Sequence, residues 1–177
     1  MKERGPYAKV DPPLRGKDDQ LRLWEALNDG TIEVLASDHA PYTKEEKERG
    51  WENIFDAPSG GVVIETTLPL MLDAVNRDMI SLERLVEVFS TNPAMMNGLY
   101  PKKGDIVLGA DADIVVVDMG KPFHIRGEDL HTIQKITPYE GMKGKGAPVM
   151  TMVRGEIVYE DGQVVRKPGY GEFQRPI

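Results

Sequence analysis

The chain has 177 residues, of which 40% are hydrophobic and 29% charged, with a formal net charge of −7 and no cysteine. That length suffices for one ordinary domain, and the lack of cysteine excludes disulfides, thiolate metal sites and a cysteine nucleophile. The negative charge argues against nucleic-acid binding, and no apolar run approaches the roughly 20 residues that span a membrane. Because the N-terminus also lacks the apolar core of a signal peptide, we expect a cytoplasmic protein.

The first predicted elements are a helix and a strand. Leu23 and Leu27 stand four residues apart, as on the apolar face of a helix, and the glycine of residues 29–30 (Asp-Gly) predicts its C-terminal end. Residues 32–37 (Ile-Glu-Val-Leu-Ala-Ser) are short, mostly apolar and partly β-branched, which predicts a buried strand. The strand should stop at residues 38–41 (Asp-His-Ala-Pro), because proline interrupts pairing.

Charges alternate along residues 44–49 (Lys-Glu-Glu-Lys-Glu-Arg), which we interpret as a solvated face. A polar, glycine-rich stretch then extends to Gly61, and residues 67–69 (Thr-Leu-Pro) predict a helix start with proline in the first turn. Ser81 predicts the cap of another helix, and residues 92–93 (Asn-Pro) and 97–98 (Asn-Gly) bound a short third one. The apolar stripe of the first of these helices is Leu68, Met71, Leu72 and Val75.

From about residue 101 the helical periodicity fades and glycine-punctuated strands take over. Residues 114–117 form a continuous apolar run, and residues 149–153 and 157–159 predict a hairpin that turns at Arg154-Gly155. Residues 160–162 (Glu-Asp-Gly) predict a further turn. Residues 1–100 are therefore predicted to be α/β, and residues 101–177 mainly β.

A carboxylate and an imidazole directly follow the predicted strand 32–37. Active sites lie at the carboxyl ends of strands in parallel α/β sheets and barrels, and Asp38 at such a position could bind a divalent metal or transfer a proton. The alternative is an aspartate that only stabilises a turn. A Ser-His-Asp triad is disfavoured, because adjacent residues of an extended chain point to opposite faces.

Six segments resemble, in order, the motifs of cyclic amidohydrolases, the family of dihydroorotases, allantoinases and hydantoinases. The segments are residues 9–15 (Lys-Val-Asp-Pro-Pro-Leu-Arg), 37–41 (Ser-Asp-His-Ala-Pro), 57–61 with 65–70 (Ala-Pro-Ser-Gly-Gly and Glu-Thr-Thr-Leu-Pro-Leu), 92–94 (Asn-Pro-Ala), 109–116 (Gly-Ala-Asp-Ala-Asp-Ile-Val-Val) and 153–155 (Val-Arg-Gly). The resemblance covers essentially the whole chain. It implies a (β/α)8 barrel beside a small β-sandwich built from both ends of a longer chain. Residues 1–100 would supply the last barrel strands and helices, and residues 101–177 most of the sandwich.

The resemblance also implies a role for Asp38. It matches the family's aspartate at the end of the last barrel strand, which binds one metal ion, takes a proton from the attacking hydroxide and passes it to the departing nitrogen. Zinc or another divalent metal would activate the water and polarise the carbonyl. The implied reaction is the hydrolytic opening of a small cyclic amide or ureide.

Substrate contacts are implied for Asp11, Pro12, Tyr42, Gly60 and Gly61. The family pattern has asparagine where Asp11 stands, and dihydroorotases tend to have histidine where Tyr42 stands. A carboxylate at the first position would repel a substrate carboxylate, so both differences weaken dihydroorotate as the substrate and leave cyclic ureides, hydantoins or allantoin open. The two glycines permit close approach of a backbone; their alternative is an ordinary flexible turn.

The other ligands of the family's metal site have no match here. That site needs a His-x-His pair, a bridging carboxylate and two further histidines, whereas this chain has three histidines and no such pair. His39 is expected to be structural, and His124 and His131 match no family ligand. We therefore expect no stoichiometric zinc in this chain alone, and activity only with an N-terminal portion that carries the ligands. A non-catalytic assembly subunit is the alternative.

Strands cut from a closed barrel would leave unpaired edges and a bare apolar face. We therefore expect the chain to self-associate, as a homo-oligomer, to rearrange, or to bind a complementary N-terminal portion. Light scattering checks this prediction: particles larger than one chain are expected, and a monodisperse monomer would contradict it.

Overall fold

The computed structural model describes residues 4–176, with helices in the first hundred residues and every described strand after residue 113. The helices are α1 (Lys17–Asn28), α2 (Lys44–Glu48), α3 (Ile64–Asn76), α4 (Leu82–Val86) and α5 (Asn92–Met96), and a π-helical turn, Glu87–Thr91, joins the last two. Short 3-10 turns lie at Gly5–Ala8, Arg49–Trp51, Ile54–Asp56 and Gly127–Asp129. The strands are β1 (Ile114–His124), β2 (Lys143–Val153), β3 (Glu156–Glu160) and β4 (Gln163–Val164). Among the helices of residues 4–176, none has both the length and the apolar character to cross a membrane.

The main core lies between α1, α3, the stretch 82–96 and one face of β1. Its buried members are Leu27, Leu72, Ala74, Ile80, Leu85 and Val88. The predicted stripe of α3 is confirmed, because Leu68, Met71 and Val75 pack against this cluster beside Leu72. The predicted face of α1 is only half right: Leu27 is buried, whereas Leu23 is 56% exposed.

Helix α3 begins at Ile64, three residues before the predicted start, so the prediction that Pro69 stands in the first turn is wrong. Pro69 lies inside the helix and cannot donate to the carbonyl of Glu65. Tertiary packing extends the helix upstream, since Val62, Val63 and Thr66 are all buried. The predicted cap at Ser81 is confirmed, because its hydroxyl accepts a hydrogen bond from the Arg84 amide at 3.0 Å.

The prediction of a buried strand over residues 32–37 is wrong. These residues join no strand ladder, and their side chains are half-buried or exposed. A strand requires a neighbour to complete its hydrogen bonds, and within residues 4–176 the ladders connect only β1 to β4. The first hundred residues are consequently helical in the described structure, not α/β.

The second half forms an antiparallel sheet with strand order β1-β2-β3-β4. The predicted hairpin is confirmed, with φ of 47° at Arg154 and 81° at Gly155, as a two-residue type I′ turn requires. Positive φ values recur at Asp161 (45°) and Gly162 (87°), at the second predicted turn. Strand β1 is longer than the predicted run 114–117, and its pairing with β2 is irregular between Asp118 and Pro122.

The sheet is fixed to α3 by a close approach of β2. A Cβ atom at Gly146 would stand 2.5 Å from the Leu72 Cβ, so only glycine fits there. Asn76 Nδ2 donates to the carbonyls of Met119 at 2.9 Å and Lys145 at 3.0 Å. The Asp73 carboxylate accepts from the Lys145 amide at 2.9 Å. These bonds join the helical half of the chain to the sheet.

We predict that Gly146→Ala destabilises the fold by about 1–3 kcal/mol more than Gly162→Ala does, because the added methyl overpacks against α3. Both glycines hold positive φ, of 108° and 87°, so both substitutions carry a backbone cost. No atom lies within 4 Å of a Cβ at Gly162, which makes it the matched control. Urea unfolding followed by circular dichroism measures the difference, and equal losses would contradict the packing argument.

Candidate active site

Asp38 directly follows residues 32–37, which we call the approach segment. Its φ is 49°, in the left-handed region that few residues except glycine, asparagine and aspartate adopt readily. Its side chain is exposed. The chain therefore presents a carboxylate to solvent at a backbone position that must be held by the residues on either side.

His39, the residue after Asp38, is fixed by hydrogen bonds to its side chain. Its Nδ1 accepts hydrogen bonds from the amides of Val63 at 3.1 Å and Ile64 at 3.2 Å. Amides at the start of a helix have no partner within the helix, so the imidazole supplies an acceptor that α3 lacks. Two incoming N–H groups require an unprotonated Nδ1 and therefore place the ring proton on Nε2. This arrangement confirms the expected structural role of His39.

The glycine loop, residues 57–61, packs directly against the residues after Asp38. The Ala40 amide donates to the Gly61 carbonyl at 3.2 Å. A Cβ at Gly60 would lie 2.7 Å from the Ala40 Cβ, and one at Gly61 would lie 2.9 Å from the Pro138 Cδ. Close packing thus explains why both positions lack a side chain, while substrate binding by Gly60 and Gly61 stays a prediction.

Lys47 is only 2% exposed. The prediction that residues 44–49 form a solvated face is therefore wrong at this position. Lys47 Nζ donates to the carbonyls of Lys9 and Pro58, both at 3.0 Å. Loss of hydration lowers the pKa of Lys47, and the nearby charge of Lys9 lowers it further. The signal that could have revealed it is Thr43 followed by Glu46, a capping box, which makes this run a short helix with one face turned inward.

Lys9, like Lys47, donates hydrogen bonds from its ammonium group to backbone carbonyls. Its Nζ donates to the carbonyls of Ile54 at 2.8 Å and Ala57 at 2.5 Å, and its own carbonyl accepts the Gly60 amide at 3.0 Å. Two ammonium groups therefore fix the glycine loop through carbonyl oxygens. We call Lys9 and Lys47, with these bonds, the lysine clamp.

The remaining predicted substrate residues surround the glycine loop. Asp11 is exposed and lines a cleft of about 270 Å³ together with Ser59. Pro12 is exposed beside it. The half-buried Tyr42 faces Gly60, with its Cε2 3.0 Å from a Cβ built there. The structure thus brings Asp11 and Tyr42 to the same loop, beside Ser59 and Gly60, whereas Asp38 does not line the Asp11 cleft.

The described residues provide no complete metal site. Within residues 4–176, no group of three or more histidine, aspartate or glutamate side chains is arranged to hold a metal ion. His131 is engaged elsewhere, with its Nδ1 2.8 Å from a carboxylate oxygen of Glu65, and His124 is exposed on β1. Asp38 is the one predicted ligand in the described part of the chain.

Comparison with known proteins identifies the family. The model of the amidohydrolase family matches residues 9–158, so the chain belongs to the amidohydrolase family. An L-hydantoinase of Paenarthrobacter aurescens is 44% identical over 170 residues, covering 96% of this chain and 37% of the relative. A dihydroorotase of Pyrococcus furiosus is 41% identical over 166 residues, covering 94% and 37%.

A solved structure agrees with these relatives. The L-hydantoinase (dihydropyrimidinase) of Arthrobacter aurescens superposes with a TM-score of 0.95 and 43% identity, over 97% of this chain and 38% of that one. The chain therefore spans somewhat more than a third of the length of these relatives. The family membership predicted from the six segments is confirmed.

We predict that His39→Ala lowers the free energy of unfolding by about 1–3 kcal/mol, because the amides of Val63 and Ile64 lose their acceptor. Hydrogen exchange at the Val63 and Ile64 amides should accelerate, which NMR measures residue by residue. His124→Ala is the matched control, since His124 is exposed on β1. Unchanged protection of both amides in the His39 variant would contradict the capping role.

Proposed function

We propose that this chain is the part of a cyclic amidohydrolase that supplies the catalytic carboxylate, Asp38, for the hydrolytic opening of a cyclic amide or ureide. The observation that carries the proposal is the exposed carboxylate of Asp38, whose backbone has a left-handed φ of 49° and is followed by His39 and Ala40, which bond to the start of α3 and to the glycine loop. The names of the relatives, L-hydantoinase and dihydroorotase, support this reaction class. They do not favour the alternative of a non-catalytic subunit.

The proposed architecture places residues 1–100 in the last part of a (β/α)8 barrel and residues 101–177 in most of a β-sandwich. The approach segment supports it, because a segment without ladder partners in residues 4–176 would find them in a closed barrel. The exposed apolar side chains of Ile106, Val107 and Leu108 support it too. Contiguous apolar residues that are exposed on a folded protein mark a surface against which another part of a protein packs.

Zinc or another divalent metal is the proposed cofactor, and Asp38 would provide one oxygen ligand. When bound, the cation would lower the pKa of water and polarise the ring carbonyl. His39 cannot ligate through Nδ1, because that atom already accepts two amides. One carboxylate does not hold a catalytic metal, so the remaining ligands would come from outside this chain, which spans 37% of the relative's length.

The reaction assigns Asp38 a proton-transfer role. Its carboxylate accepts a proton as the water oxygen bonds to the ring carbonyl carbon. It then returns that proton to the ring nitrogen as the C–N bond breaks, which leaves an amine or ureido group and a carboxylic acid that releases the second water proton to solvent. The exposed carboxylate of Asp11 beside the glycine loop would repel an anionic substrate, and this favours uncharged rings such as hydantoins or allantoin over dihydroorotate.

A chimera tests the proposal. This chain replaces the matching 37% of the L-hydantoinase, whose solved counterpart superposes with a TM-score of 0.95. We expect the chimera, with zinc, to open hydantoin rings, and we expect Asp38→Asn to lower kcat by about 10²–10⁴-fold, the usual contribution of general acid–base catalysis. Asp18→Asn, at an exposed aspartate in the first turn of α1, should leave the activity unchanged.

Metal content and oligomeric state are measured on every variant of the chimera. The proposal fails if a folded, metal-loaded chimera hydrolyses no ring. It also fails if the Asp38 and Asp18 variants are equally active.

A further inference from the structure

Within residues 4–176, the approach segment is bonded to the helical stretch 82–96 and to no strand. The Ile32 carbonyl accepts from Arg84 Nη2 at 2.9 Å, and the Glu33 carbonyl accepts from Asn92 Nδ2 at 2.8 Å. The Leu35 amide donates to the Val88 carbonyl at 2.8 Å. Three backbone groups in four consecutive residues are therefore satisfied by one helical element.

The π-helical turn explains why the Val88 carbonyl is free to accept. In an α-helix this carbonyl would accept the Asn92 amide, but that amide donates to the Glu87 carbonyl, five residues back. The next residue, Pro93, has no N–H to offer. Val88 is 0% exposed, and a buried carbonyl without a partner is costly. The wide turn and the proline together leave one acceptor, and the Leu35 amide occupies it.

We propose that Asn92, together with the π-helical turn Glu87–Thr91, positions Asp38 for catalysis by fixing the approach segment. This inference rests on the proposed function, because that function gives Asp38 its role. Asn92 bonds to Glu33, five residues before Asp38, and Val88 bonds to Leu35, three residues before it. Since His39, the residue after Asp38, bonds to the start of α3, the backbone on both sides of Asp38 is fixed by helix contacts. Asn92 is thus a positioning residue that acts through the backbone.

The chain offers a matched control in Asn97. Its Nδ2 donates to the Pro93 carbonyl at 2.8 Å, so it has the same side chain and the same bond length as Asn92. The two asparagines differ in that the Asn97 bond stays within its own helix. A general loss of helix stability would affect both variants, whereas a positioning role affects the Asn92 variant.

The experiment measures hydrogen exchange in the 177-residue chain and turnover in the chimera. Asn92→Ala should raise exchange in residues 32–37 by about tenfold, the equivalent of one hydrogen bond of about 1.4 kcal/mol, and Asn97→Ala should leave it unchanged. In the chimera, Asn92→Ala should lower kcat by about tenfold with KM within about twofold, because a displaced carboxylate affects the transition state more than substrate binding.

A second variant keeps the inference testable if Asn92→Ala does not fold. Pro93→Ala adds an N–H that can donate to the Val88 carbonyl and compete with the Leu35 amide. It leaves every side-chain atom of Asn92 in place. Faster exchange of the Leu35 amide in Pro93→Ala is the expected result.

Two results would overturn the inference. One is unchanged exchange of residues 32–37 in both the Asn92 and the Pro93 variants. The other is faster exchange in Asn92→Ala with a kcat equal to that of Asn97→Ala. A chimera that is inactive without any substitution refutes the proposed function instead, and the exchange data then still decide whether the helix holds the segment.

Discussion

The hydrogen bonds from the Val63 and Ile64 amides to the His39 imidazole join the start of α3 to the residues that follow Asp38. Buried backbone amides must find an acceptor, and the start of a helix leaves such amides without one. His39 meets this need with a single ring nitrogen. This side chain joins the backbone after Asp38 to the start of α3, and the next residue, Ala40, bonds to the glycine loop.

Charge is used in an unusual way near the glycine loop. Among residues 4–176, the ammonium groups of the lysine clamp bond to carbonyl oxygens, not to carboxylates. Backbone carbonyls compensate a cation only in part, so burial still lowers the pKa of Lys47. In return, the loop backbone is fixed without any acidic side chain. An added carboxylate would place a further negative charge beside Asp11 and Asp38, in a chain whose net charge is already −7.

The sequence predicted those features whose causes are local. The tight turn at Arg154-Gly155 follows from the dihedral angles that glycine permits, and the stripe of α3 follows from helical spacing. The strand 32–37 could not be predicted correctly from its own letters, because a strand exists only when neighbours complete its hydrogen bonds. The burial of Lys47 was not predicted for a related reason, because its carbonyl partners, Lys9 and Pro58, are distant in sequence. Asp38 was identified by its motif, whereas the contacts that locate it became visible in three dimensions.

The π-helical turn has a geometric consequence for everything that follows it. One extra residue in a helix of 3.6 residues per turn rotates all later side chains by about 100° around the axis. Asn92 directly follows the turn, so its orientation toward Glu33 depends on that added residue. Deleting one residue of the turn would swing the asparagine to another side of the helix without changing its chemistry. The extra residue of the π-helical turn thus sets the direction in which the Asn92 side chain leaves the helix.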